Sequence, residues 1–145
     1  MQKIIVASHG YFASGIEDSI KILIGERDNI DFISAYRDNI PDSKVLKEKI
    51  KNILEKNKEN TVIMFTDIKG GSITNTAIEL LPKYKNLNII SGSSLVLVLE
   101  YILTSEDEEE EGYKEIIKNC IIEAKEGMVY INDLIAGGNE DDQIL

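Results

Sequence analysis

The sequence predicts an α/β fold. The expected form is a three-layer sandwich with a mostly parallel sheet of order 2-1-3-4, a C-terminal edge strand, and helices on both faces. Three observations predict it. Residues 3–8 and 61–66 are apolar, β-branched runs without alternation, the pattern of strands buried on both sides. Stripes of helical period lie between such runs. Strand and helix signals alternate along the chain, and right-handed crossovers then place helices on both faces.

The elements follow in order. Residues 3–8 form the first strand. Residues 12–25 carry Ile16, Ile20, Leu23 and Ile24 on one helical stripe, ended by Gly25. Residues 30–36 (IDFISAY) are a short second strand. Pro41-Asp42-Ser43 opens the next helix with Asp42 or Ser43 as N-cap, and Val45, Leu46, Ile50, Ile53 and Leu54 form its inner face. Residues 61–66 are the third strand and run into a loop at Asp67-Ile68-Lys69-Gly70-Gly71-Ser72. A helix starts at Ser72 or Ile73, with Ala77, Ile78 and Leu81 inward, and stops near Pro82. Residues 87–90 are the fourth strand.

The apolar run at 95–103 suits a buried strand or a buried helix by periodicity alone. The preceding serines offer a cap and the alternation expects a helix, so a helix is assigned. The acidic run at 106–111 reads as a loop or frayed helix start. Residues 113–125 place Tyr113, Ile116, Ile117, Cys120, Ile121 and Ala124 on one helical face, ended by Gly127. Residues 128–131 (MVYI) read as a fifth strand. Residues 1–135 are expected to form a single domain and 136–145 an acidic, mobile tail.

Composition narrows the function classes. The 145 residues carry a net charge of −10, and the excess is confined to one end. Residues 1–100 hold 13 basic and 13 acidic side chains, whereas residues 101–145 hold 3 and 13. An acidic chain without a basic stripe argues against nucleic-acid binding. The acidic blocks read as solvated loop and tail. No apolar run approaches the ~20 residues that span a bilayer, and the start carries no signal-peptide pattern. Cys120 is the only cysteine, which excludes an internal disulfide and fits a buried thiol in a reducing cytoplasm. One His and one Cys on different elements argue against a metal site, and no cofactor is expected.

Polar groups gather at two strand ends. The first strand ends at Ser8-His9-Gly10 and the third at Thr66-Asp67, followed by Gly70-Gly71-Ser72. In an open sheet of order 2-1-3-4 these strands are neighbours, and their carboxyl ends flank one crevice. His9, the only histidine, is then within reach of Asp67. A histidine nucleophile needs one ring nitrogen free and the other held as a donor. A carboxylate fixes that tautomer and stabilises the positive ring formed on attack. Gly70, Gly71 and Ser72 can turn backbone N–H groups toward one point at a helix start, which suits a phosphate. Gly10 leaves room for a large partner. The chemistry so assembled is phosphoryl transfer to and from His9. Each piece has an ordinary reading as well: a structural strand-end histidine, a turn or cap aspartate, and a capped glycine turn. There is no Walker motif and no G-x-S-x-G elbow.

The stretches IIVASHGYFASGI and VIMFTDIKGGSITNTA resemble the IIA domain of the mannose/fructose/sorbose family of the bacterial sugar phosphotransferase system. Asp67, Gly70, Gly71, Ser72 and Asn75 match that family's Asp-x-x-Gly-Gly-Ser-Pro-x-Asn motif, and Gly92 and Glu100 match a third segment. The likeness covers residues 1 to 135 in length and element order. It implies a cytoplasmic phosphocarrier whose His9 accepts a phosphoryl group from phospho-HPr and passes it to the IIB component. The IIC/IID membrane complex is served indirectly. It also implies that Asp67 orients His9, that Ser72 and nearby amides contact the phosphate, and that two copies pair through the strand at 128–131. The chain departs from the family pattern at Tyr11, Ile73, Ser94 and Val96. There are two other readings: a non-catalytic regulatory module of the same fold that binds through its acidic stretch, and the related phosphotransfer subunit of a dihydroxyacetone kinase, which also begins with an apolar strand and a histidine. The Gly-Gly-Ser-x-x-Asn arrangement favours the sugar-transporter family over the latter.

Overall fold

The computed structural model describes residues 1–106 and 112–137. The acidic run from 107 and the tail beyond 137 lie outside the described residues. The sheet contains β1 (Gln2–His9), β2 (Ile30–Ala35), β3 (Thr61–Thr66) and β4 (Leu87–Ile90). Its order is β2-β1-β3-β4, and every pairing is parallel. The helices are α1 (Phe12–Ile24), α2 (Ser43–Lys56), α3 (Ser72–Leu80), α4 (Leu95–Ser105), α5 (Tyr113–Glu126) and α6 (Ile131–Ala136).

The pleat of the strands explains the layers. Ile4, Val6, Ile63 and Phe65 pack with α1, α4 and α5, while Ile5, Ala7, Val62 and Met64 pack with α2 and α3 on the other face. Both faces of β1 and β3 are therefore covered, which is why their sequences are apolar without alternation. Phe65 is fully buried and meets Tyr101 edge-on with ring centroids 5.7 Å apart. Phe65→Ala should cost about 3–5 kcal/mol, the usual range for a large aromatic removed from a close-packed core. Urea unfolding measures this, and a loss below ~1 kcal/mol would mean that the site collapses around the gap.

Helix ends follow the expected chemistry. The Asp42 side chain accepts a hydrogen bond from Val45 N–H at 2.9 Å and caps α2. Ser94 does the same for α4 through Leu97 N–H at 3.2 Å, so the ambiguous run at 95–103 is a helix. Gln2 ties β1 to α4: its amide accepts from the Tyr101 hydroxyl at 2.6 Å and donates to Ser105 at 2.8 Å.

Several expectations need correction. Leu23 and Val45 are exposed rather than inward, as are Ile78 and Leu81. In α3 the buried face instead carries Thr74 and Thr76 beside Ile73, Ala77 and Leu80. Those threonines are buried because backbone oxygens satisfy them. Thr76 donates to the Ser72 carbonyl at 2.7 Å, and Thr74 Oγ1 lies 2.7 Å from the Ile68 carbonyl. The expected C-terminal edge strand at 128–131 does not form. Met128, Val129 and Tyr130 are exposed with no ladder beside them, and Ile131 opens α6. Asn132 and Asp133 disfavour a strand, and Ile131, Leu134 and Ile135 repeat at helical spacing. Among the described residues no helix is long and apolar enough to cross a membrane.

Candidate functional site

The site is set by the register of β1 and β3. Ala7 pairs with Thr66, so His9 and Asp67 leave the sheet side by side at its carboxyl end. Strand β2 contributes as the other neighbour, with Ala35 opposite His9. The turn out of β1 is fixed by Ser8, a fully buried hydroxyl. Its oxygen accepts from Ala13 N–H at 2.7 Å, and it donates to the Gly10 carbonyl at 3.0 Å. Gly10 N–H donates to the Ala35 carbonyl at 2.8 Å with φ +58°, a left-handed conformation that favours glycine.

His9 and Asp67 make two hydrogen bonds through one oxygen. Asp67 Oδ2 accepts from the His9 backbone N–H at 2.7 Å and lies 2.8 Å from His9 Nδ1. Its other oxygen, Oδ1, accepts from Ile68 N–H at 3.0 Å. The Asp67 side chain is mostly buried at 11% exposure, whereas His9 remains 40% exposed. Burial pushes the Asp67 carboxyl up, but the hydrogen bonds and charge of His9 outweigh burial and hold it below its ordinary value. Asp67 is thus a carboxylate near neutral pH and can only accept. The proton between it and His9 belongs to Nδ1, which donates, and in the neutral ring Nε2 is the nitrogen with the lone pair.

Nε2 faces the start of α3. Ser72 Oγ is 3.4 Å from it. A Cβ on Gly71 would stand 3.4 Å from His9 Cε1 and 3.2 Å from the Ile68 carbonyl, so glycine lets this loop close over the imidazole edge. Gly70 has φ +82° and open space around it. The amide cradle is smaller than expected: Gly71 N–H donates to the Ile68 carbonyl at 3.0 Å and is taken up within the turn. Of the residues singled out in the sequence, the structure therefore gathers His9, Asp67, Gly71 and Ser72 around one ring. Gly10 and Gly70 shape the adjoining turns.

Tyr36 is the residue that sequence reasoning missed. It stands immediately after β2, at the third carboxyl end of the same crevice. Its ring centroid lies 5.5 Å from that of His9, and its hydroxyl is 2.5 Å from Ser72 Oγ. Its place beside the strand that pairs with β1 was the available signal. The arrangement offers a free, partly exposed imidazole nitrogen, a buried carboxylate behind the ring, and hydroxyls in front of it. It is suited to nucleophilic attack by Nε2 and to stabilising the positive ring that results.

The chain is similar in sequence and fold to known proteins. The family model for EIIA-man, described as the PTS system fructose IIA component, matches residues 3–121. The sorbose-specific EIIA component of the phosphotransferase system of Lacticaseibacillus casei is 27% identical over 101 residues, spanning 68% of this chain and 70% of that protein. A Klebsiella pneumoniae protein described as a phosphoenolpyruvate-dependent sugar phosphotransferase system permease is 25% identical, with a TM-score of 0.79 over 92% of this chain and 93% of that one. The phosphotransferase system component EIIA of Streptococcus agalactiae has the same fold, with a TM-score of 0.79 at 22% identity over 91% of this chain and 98% of that one.

Proposed function

The chain belongs to the EIIA-man family of sugar phosphotransferase system IIA components, and from that membership we propose that His9 is a transient phosphoryl carrier, loaded by HPr and discharged to a IIB component. Members of this family are phosphotransfer components, so the coarse activity follows from membership. The identity of the accepting atom, the donor and the acceptor are this proposal.

The observation that carries it is the division of labour on one ring: Nδ1 is held by Asp67 at 2.8 Å while Nε2 stands open beside Ser72. In the loading step the Nε2 lone pair attacks phosphorus. A new N–P bond forms, and the donor's N–P bond breaks with its electron pair returning to the donor imidazole. The His9 ring then carries positive charge with Nδ1–H still donating to Asp67. The Asp67 carboxylate, already ionised, opposes that charge without having to reorient. Discharge is the reverse of loading with a IIB side chain as nucleophile. No metal is required by these steps, and sugar does not touch this chain. A crevice that leaves His9 40% exposed fits a protein donor better than an enclosed small substrate. The absence of a basic stripe agrees with a protein partner rather than a nucleic acid. The carrier works in the cytoplasm, beside the IIC/IID membrane complex it feeds through IIB.

Mixing the protein with phospho-HPr should give an acid-labile adduct one phosphoryl group heavier by mass spectrometry. Addition of a IIB component should then remove it. Tight binding to a transporter or regulator with no adduct would replace this reading with that of a non-catalytic module.

A further inference from the structure

We propose that Tyr36 is a positioning residue that aims the Ser72 hydroxyl at the reactive nitrogen of His9. The inference rests on the phosphorylation of His9 proposed above and adds a residue to that mechanism.

The backbone supplies the first observation. Tyr36 has φ 65° and Asp38 has φ 55°, both in the left-handed region that non-glycine residues rarely occupy. Such strain persists only where the surroundings over-determine it. Here they do. Tyr36 N–H donates to the Ile40 carbonyl at 2.7 Å, and Ile40, itself buried, donates to the Arg37 carbonyl at 3.1 Å. The Arg37 guanidinium donates to the Tyr36 carbonyl at 3.1 Å and lies over the Tyr11 ring at 5.6 Å. The Tyr11 hydroxyl donates to Asp38 at 3.1 Å. The loop after β2 is thereby tied to the turn that carries His9, and the result is to turn the Tyr36 ring toward the imidazole.

The hydroxyl chain supplies the second observation. Tyr36 Oη is 2.5 Å from Ser72 Oγ and 3.2 Å from Ser43 Oγ, and Ser72 Oγ is 3.4 Å from His9 Nε2. Each hydroxyl has one proton to give. A phenol is a far stronger acid than a serine hydroxyl, which makes Tyr36 the better donor of the two. The Ser72 proton is then free to point at Nε2 in the resting protein, or at a phosphoryl oxygen once one is attached. Ser43, the first residue of α2, can in turn donate to the phenol oxygen. Without the phenol, Ser72 is free to turn its proton elsewhere.

Tyr36→Phe keeps the ring and removes only the donor. Transfer from phospho-HPr should slow by about five- to tenfold, the loss expected for one well-aligned neutral hydrogen bond. Ser72→Ala should slow transfer at least as much. The double variant should be no slower than Ser72→Ala, because Tyr36 acts only through Ser72. The 15N shift of His9 Nε2 in the unphosphorylated protein gives a readout that needs no transfer. It should move in Tyr36→Phe and in Ser72→Ala alike, while the Asp67-bound Nδ1 shift stays in place. A Tyr36→Phe protein with the parent's rate and the parent's Nε2 shift overturns the inference. So does a double variant slowed by the product of the two single effects. If the parent takes up no phosphoryl group, the proposed function falls separately, and the 15N shifts still decide whether Tyr36 sets the Ser72 hydroxyl.

Discussion

His9→Ala should take up no phosphoryl group from phospho-HPr while keeping the fold of the parent. His9 is the only histidine in the chain, so no other imidazole can substitute. The ring is 40% exposed and contributes little to the core clusters on either face of the sheet. Its loss should leave far-UV circular dichroism unchanged and lower stability only through the lost partner of Asp67. That partner matters because Asp67 is 11% exposed, and a carboxylate at that depth is left with fewer donors. The backbone N–H of residue 9 still donates to Oδ2 in the variant, which limits the damage. An acid-labile adduct on His9→Ala would reject His9 as the acceptor.

Asp67→Asn should keep the fold and slow phosphoryl transfer by on the order of 10³-fold or more, by analogy with the loss of the orienting carboxylate in a catalytic triad. Asparagine is nearly isosteric, and its carbonyl can accept from the His9 N–H. What it lacks is the negative charge that opposes the imidazolium-like ring and holds the proton on Nδ1. The same substitution has a signed effect on stability. The folded-state pKa of Asp67 lies below the unfolded value, so its contribution is fully present above the ordinary carboxylate range. That contribution is lost as pH falls through the lowered folded value. The stability gap between parent and Asp67→Asn should therefore be widest near neutral pH and close on acidification, which urea unfolding at several pH values measures. Equal transfer rates for parent and variant would remove Asp67 from the mechanism.

The His9–Asp67 pair was legible in the sequence because two strong signals converge there. Continuous apolar runs mark buried parallel strands, and the carboxyl ends of adjacent strands in such a sheet share a crevice. Side-chain identity at those ends then supplied the chemistry. The place of Tyr36 at the end of β2 was legible, but the turn of its ring toward His9 was not, because that depends on a left-handed backbone at a non-glycine residue, which no residue pattern announces. The inner face of α3 was misread for a related reason. Thr74 and Thr76 count as polar in any periodicity, yet carbonyls from their own surroundings satisfy them in the interior. The run at 128–131 shows the opposite error. Its residues favour strands, but they pair with none, and Ile131 opens α6 instead. The Gly71 amide, expected to face a phosphate, closes its own turn instead, a detail of loop geometry that composition does not carry.

The most direct test of the mechanism is the position of attachment on the imidazole ring, read by 1H–15N and 31P NMR of the phosphorylated protein. With Nδ1 held 2.8 Å from the Asp67 carboxylate and Nε2 open beside Ser72, the phosphoryl group should be bonded to Nε2, with Nδ1 still protonated. A phosphoryl group on Nδ1, or on any residue other than His9, would contradict the account.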